Sequence, residues 1–248
     1  MSAGLRELAD RQWKEYQARQ PGTCFSDPEF MLNLPEAYAL QSAVSALRIA
    51  AGEHVIGYKI GCTGPGTVAQ FGMKGPIRAY LYDSEIHRSG ERLNSADFAN
   101  LAVEAEMALR LGDDGRVAAA FPVIELHHFV FRAMHKTLAE LVANNGLNAG
   151  IVLPDQGWIS SDYLERPATL SLHINGRVID SGDLWPLAGG PAASLDWLRG
   201  HLAEFGLPLQ PGHIILAGTR LGLYPVQSGD GITVFVDDRP AARCAVID

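Results

Sequence analysis

The hydrophobic pattern of this chain changes character near residue 55. Before that point apolar residues recur at helical spacing. Residues 3–18 form a polar amphipathic stretch and predict a first helix. A second is predicted over Pro35–Ala51, where Ala37, Leu40, Val44, Leu47 and Ile49 follow a proline suited to a first turn and Gly52 supplies a stop. Beyond it the chain turns to short apolar or alternating runs broken by Gly, Asp and Pro. Strands are predicted at Val55–Ile60, Ala79–Tyr82, Ala102–Leu111, Val123–Leu126, Ala149–Val152, Leu170–Ile174, Ile214–Ala217 and Ile232–Val236. Asn175-Gly176, between LSLHI and RVID, is a type I′ hairpin signal, and GCTGPG after the first strand reads as a glycine-rich turn. Two further helices are expected near Thr137–Ala143 and Pro191–Phe205. The pattern is α+β: a helical N-terminal region, 1–54, and a β-rich catalytic domain, 55–248.

Composition narrows the class. With 248 residues and 47% hydrophobic content the chain can fill one large core. A net charge of −8 argues against nucleic acid or an anionic membrane as the main partner. No apolar run approaches the roughly 18 residues a membrane span requires. The N-terminal MSAGLRELADRQWKEY is too polar for a signal peptide. Cys24, Cys62 and Cys244 are scattered, with neither zinc spacing nor a disulfide framework, which fits a reducing cytoplasm.

Chemistry concentrates in NLAVEAEMALRL, residues 100–111. On a strand Val103, Ala105, Met107 and Leu109 point one way and Glu104, Glu106 and Ala108 the other. A pair of glutamates on one face is also what any half-solvated strand shows. Glu125 changes the balance, because it stands inside the apolar run Ala118–Leu126. Three neighbouring buried carboxylates repel one another, and a divalent cation neutralises them; an all-oxygen set suits Mg²⁺ or Mn²⁺ rather than zinc.

Lys59 in VIGYKIG is a second candidate, since lysine seldom enters a buried strand unpaired, although an edge-strand lysine would give the same pattern. Beside the carboxylates it would complete an electrostatic site. The turn beginning at Gly61 offers backbone amides to an anion. Thr219 and Arg220, at the end of an apolar strand, offer a hydroxyl and a guanidinium that can hold a carboxylate, or form an ordinary turn and surface ion pair. His127 and His128 follow Glu125, and because adjacent strand residues face opposite ways, at most one of them reaches its site.

Taken in order, PEAYALQ, VIGYKIGCT, AYLYDSEIHRSG, VEAEMALRL, VIE, ANNGLNAGIVL, INGRVIDSG, GGPAASLDWL, PLQPGHIILAGT and PVQSGD resemble the 2-hydroxypenta-2,4-dienoate hydratase and 4-oxalocrotonate decarboxylase family of the fumarylacetoacetate hydrolase superfamily. The resemblance runs from about Pro35 to the C-terminus. It implies a mixed β-sheet roll, a Mg²⁺ or Mn²⁺ ion on Glu104, Glu106 and Glu125, an active-site lysine at Lys59, a 2-oxo or 2-hydroxy-dienoic acid ligand, and a homo-oligomer that can pair with a related family enzyme. Departures accompany it: Ile77-Arg78 after Pro76 where an acidic residue is usual, His128 in place of an aspartate, Gly189-Gly190-Pro191 in place of Gly-His-Pro, and a shorter loop between Glu106 and Glu125.

The leading expectation is a metal-dependent hydratase of a short 2-hydroxy-alka-2,4-dienoate. Decarboxylation of a 2-oxo-alkenedioate needs the same core plus a cation for the second carboxylate, for which Arg78 and Arg220 are the sequence candidates. A C–C hydrolase is disfavoured, as no histidine precedes His54. A catalytically degenerate binder of a 2-oxo acid is the non-enzyme alternative.

Overall fold

A computed structural model describes residues 3–72 and 76–248, without the side chains of Pro65 and Val68. In chain order the elements are α1 (Ala3–Gln17), α2 (Leu34–Ala50), β1 (Val55–Gly61), α3 (Pro65–Phe71), β2 (Ile77–Tyr82), β3 (Ile86–Arg88), β4 (Arg92–Asn94), β5 (Leu101–Leu111), β6 (Val117–His128), α4 (Leu138–Ala143), β7 (Asn148–Leu153), β8 (Thr169–Ile174), β9 (Arg177–Asp183), α5 (Gly190–Glu204), β10 (Ile214–Leu216), β11 (Tyr224–Pro225), β12 (Gly231–Val236) and β13 (Arg239–Ile247). The predicted elements are present. α2 starts with a capping box, Asn33 and Glu36 each accepting from the other's backbone N–H, and Pro35 occupies its first turn. Asn175 and Gly176 have φ of 53° and 75°, as a type I′ turn between β8 and β9 demands.

Besides the short strands β3, β4 and β11, three features escape the sequence pattern. The glycine-rich turn gives way at Pro65 to the short helix α3. β13 is a nine-residue strand whose Pro240 and alanines depress strand propensity. β6 is not a four-residue strand after a loop but runs for 12 residues back along β5. Pro122 sits within it, outside the β6–β7 ladder, which covers Ile124 to His127, so its missing N–H faces no strand there.

The strands form two mixed sheets. The larger has the order β2-β1-β10-β5-β6-β7-β3, with β11 also on β5; the smaller is β4-β13-β12-β8-β9. Between them lies the main core, where Val103, Ala105, Met107 and Leu109 of β5 join Leu170, Leu172, Val234, Val236 and, from α5, Leu195 and Leu198. The alternation that buries this face turns Glu104 and Glu106 to the opposite one. There a second apolar cluster joins Ala9, Tyr38 and Leu40 of the N-terminal helices to Ile77, Leu141, Val142 and Leu147. Helices thus cover part of the carboxylate face, while Ala108 and Val123 of the same face pack in a third cluster with Leu81, Ile214 and Leu216. Among the described residues no helix is long and apolar enough to cross a membrane.

Candidate active site

Strand register brings the carboxylates together. Glu104 pairs directly with Glu125 across β5 and β6, and Glu106 lies two residues further along the same face. Glu125 and Glu106 are fully buried, while the Glu104 side chain keeps 19% exposure toward the pocket. Lys59, also buried, extends from β1 to place Nζ 2.6 Å from Glu125 Oε1 and donates to the Gly146 carbonyl at 3.2 Å. Asn148 Nδ2 donates to the same Glu125 oxygen at 3.0 Å. Glu106 Oε1 accepts from the Gly218 N–H at 2.5 Å. Gly218 has φ of +87°, and a Cβ there would stand 2.5 Å from the Thr63 side chain, so glycine is what allows this amide to approach.

The charges follow from this packing. Burial opposes the Lys59 charge, but Glu125, Glu106 and Glu104 outweigh it and hold its pKa above the ordinary lysine value. Burial likewise pushes Glu125 up, yet Lys59 and His127 prevail and keep it ionised far below the usual carboxylate range. Glu106 gains no comparable support. Burial, then Glu125 and Glu104, raise it well above the normal range.

A cavity of about 350 Å³ opens over this floor. Lys59, Glu104, Glu106 and Glu125 all line it, and so do Gly61, Thr219 and Arg220. Thr219 spends its carbonyl on Thr63 Oγ1 (2.8 Å) and its Oγ1 on the Leu221 amide (3.1 Å). Arg220 is half exposed and only 3.9 Å from Asp183. Arg78, by contrast, is outside the lining. It is fully buried against Gln41 Oε1 (2.5 Å) and the rings of Tyr38, Tyr80 and Phe205. Arg78 therefore does not face the cavity, whereas Lys136, a group the sequence did not single out, lines it and stacks over Phe129 and Phe131.

Of the two histidines, His127 faces the site and His128 does not. His127 Nε2 stands 3.3 Å from Glu125 Oε2 and 3.6 Å from Glu104 Oε2. Residues 125 and 127 share a strand face, so alternation alone could have selected it. Glu104, Glu125 and His127 each offer a ligand atom, all within 4.8 Å of one another; Glu106, two residues along the same strand face, is not one of this trio. Glu125 Oε2 and His127 Nε2 are buried and make no hydrogen bond. A divalent cation among these groups would satisfy both, so the residues present fit a metal.

No protein-family model matches the chain. A 2-keto-4-pentenoate hydratase of Paraburkholderia phymatum is 27% identical over 221 residues, 84% of each protein. A 4-oxalocrotonate decarboxylase of a Pseudomonas species is 26% identical over 215 residues, 82% of this chain and 81% of the relative. The solved structure of a 4-oxalocrotonate decarboxylase from Pseudomonas putida, complexed with magnesium and adipate, superposes with a TM-score of 0.85 over 98% of this chain and 97% of that one, at 22% identity. The fold is thus the one that decarboxylase structure has. The resemblance to dienoate hydratases and oxalocrotonate decarboxylases carried by the sequence motifs holds across most of the chain.

Proposed function

We propose that this chain is a divalent-metal-dependent hydratase that adds water to a short 2-hydroxy-alka-2,4-dienoate and yields a 4-hydroxy-2-oxo acid. The observation that carries this reading is the buried Lys59–Glu125 pair set among Glu104 and Glu106 on the floor of a pocket, in a chain similar to curated hydratases. Glu104, Glu106 and Glu125 would hold Mg²⁺ or Mn²⁺. When bound, such an ion would supply Lewis-acid stabilisation of negative charge on the C2 oxygen of a 2-oxo acid.

The protein's own groups supply the rest. An ammonium has three N–H donors; Lys59 commits two, to Glu125 and Gly146, and keeps one for the substrate. Its charge is locked by three glutamates, so it acts as a fixed cation toward the substrate carboxylate or the developing enolate oxygen. For the five-carbon substrate the balance is simple: the O2 proton is lost and C5 gains one, giving the 2-oxo-3-enoate; water oxygen then bonds to C4 and a proton to C3. Thr219, Arg220 and the Gly61 backbone would orient the acid, while Phe71, Phe129, Phe131 and Leu147 exclude bulk water from its hydrocarbon part.

Decarboxylation of a 2-oxo-alkenedioate is the second reading. Lys136 and Arg220 favour it, since both line the pocket and either can meet a distal carboxylate. Incubation with 2-hydroxypenta-2,4-dienoate separates the two. Metal-dependent formation of 4-hydroxy-2-oxopentanoate is expected; CO₂ release from 4-oxalocrotonate without hydration of the monoacid would reverse the order, and turnover of neither would favour a different 2-oxo acid substrate or a non-catalytic binder of 2-oxo acids. A cytoplasmic setting and homo-oligomeric assembly, alone or with a related enzyme, belong to the same proposal. Light scattering of the purified protein tests the assembly.

A further inference from the structure

We infer that His127 is itself a metal ligand, so that this site joins an imidazole nitrogen to its carboxylates and prefers an ion of the manganese class over magnesium. The inference rests on the metal-enzyme reading and goes beyond it by naming a nitrogen donor and the selectivity that follows.

The geometry is specific. Glu125 divides its two oxygens: Oε1 takes both Lys59 and Asn148, while Oε2 has no hydrogen-bond partner and faces His127 Nε2. His127 Nε2 is equally without a hydrogen bond, although it lies within 3.6 Å of two carboxylate oxygens. Both side chains are more than nine-tenths buried. These two atoms, one on each of two buried side chains, have only each other at 3.3 Å without a hydrogen bond, and with the Glu104 carboxylate they bring three ligand atoms within 4.8 Å of one another, an arrangement that a shared cation would satisfy.

The backbone explains how the imidazole arrives there. The β6–β7 ladder slips between Leu126 and His127, a local irregularity of the kind that re-aims a side chain. The residue opposite His127 on β5 is Ala102, whose small side chain leaves the ring free to lean toward Glu104. Among the described residues His127 is the one imidazole lining the cavity. Magnesium is a hard ion that favours oxygen and keeps its waters, whereas manganese and later first-row ions accept imidazole nitrogen. One histidine in the donor set therefore shifts preference away from magnesium without demanding a tetrahedral zinc geometry.

The test uses metal-free full-length protein, with Mn²⁺ and Mg²⁺ as the probes. Pulsed electron paramagnetic resonance of the Mn²⁺ form should show a directly coordinated imidazole ¹⁴N. Calorimetric titration should show tighter binding of Mn²⁺ than of Mg²⁺. His127→Leu should remove the nitrogen signal and weaken Mn²⁺ by roughly 10-fold or more, at least the loss expected when even an outer partner of a ligand is removed, with little change for Mg²⁺. Should His127→Leu fail to fold, the wild-type spectrum decides alone. Mn²⁺ bound without imidazole nitrogen overturns this inference and leaves the metal enzyme standing. Failure of both ions to bind the wild-type protein overturns the metal assignment and this inference together.

Discussion

Lys59 meets Glu125 at 2.6 Å although two strands, β10 and β5, separate β1 from β6 in the sheet. Three strand spacings of roughly 4.8 Å exceed the reach of a lysine stem, so the curl of the sheet supplies the approach and the ammonium makes the contact. Changing the charge without the stem therefore isolates the electrostatic part. Lys59→Met should retain much of the packing and lower kcat/KM by about 10²-fold or more, the size associated with one oriented charge. Steady-state kinetics of the metal-loaded variant measure this. Rates close to wild type would reduce Lys59 to a structural counter-ion of Glu125.

The carboxylates should separate metal binding from folding. Because Glu104 and Glu106 line the cavity while the opposite face of β5 carries the core, Glu104→Ala and Glu106→Ala should weaken metal binding in calorimetric titrations and abolish turnover. Chelation of the wild-type protein should likewise stop turnover and leave the far-ultraviolet circular dichroism unchanged. Full metal affinity in both variants would sink the assignment of these residues as ligands.

The positions of three cations divide substrates by charge. Arg78 is sealed between α2, β2 and Phe205, away from the cavity, whereas Arg220 and Lys136 line it. Arg78→Met should leave the ratio of diacid to monoacid kcat/KM within about threefold of wild type. Lys136→Met should lower diacid turnover by roughly 10-fold or more, the equivalent of one charge-assisted hydrogen bond, and spare the monoacid, whereas Arg220→Met, which also removes a group that orients the monoacid, should lower both. Competition assays with paired substrates give the ratio directly. A selective diacid defect in Arg78→Met alone would contradict the described lining.

His128 should make stability pH-dependent. Its ring is buried edge-on to Tyr16, and Nδ1 accepts the Ala99 N–H at 3.0 Å, a bond only the neutral ring can make. Burial, with Arg19, His127 and Arg48 nearby, depresses its pKa from 6.5 to about 3. Below 6.5 the unfolded chain takes up a proton that the folded chain refuses. The contribution is thus present above pH 6.5 and lost progressively down to about pH 3, at no more than about 1.4 kcal/mol per pH unit. Urea denaturation of wild type and His128→Asn should diverge in slope across that window. Parallel curves would show that His128 titrates normally in the folded protein.

The sequence exposed the parts of the site more readily than their arrangement. Glu104 and Glu106 were legible because β5 alternates strictly, and Lys59 because lysine is rare in so apolar a run. That Glu104 faces Glu125 was hidden, since the alanines and Pro122 of β6 mask where its pairing with β5 begins. Arg78 is polar in sequence but packs on three aromatic rings, a destination that depends on α2 and on the distant Phe205. His127 carried a signal that alternation could have sharpened. Lys136 carried none, because its place at the cavity is set by how the segment after β6 folds back on Phe129 and Phe131.

The three-residue strand β10 pairs in parallel with β1 and antiparallel with β5, and so joins the strand of Lys59 to the strand of Glu104 and Glu106. A ribosome delivers it long after both of them. The nascent chain therefore holds its lysine and all three glutamates before it can bring them into register, and the closing contact is among the most non-local in the sheet. Until Ile214–Leu216 emerges, those charged groups have no common floor on which to meet. Competence for chemistry is consequently a late event in this protein's biogenesis, reached only when the C-terminal part of the chain docks between strands made much earlier.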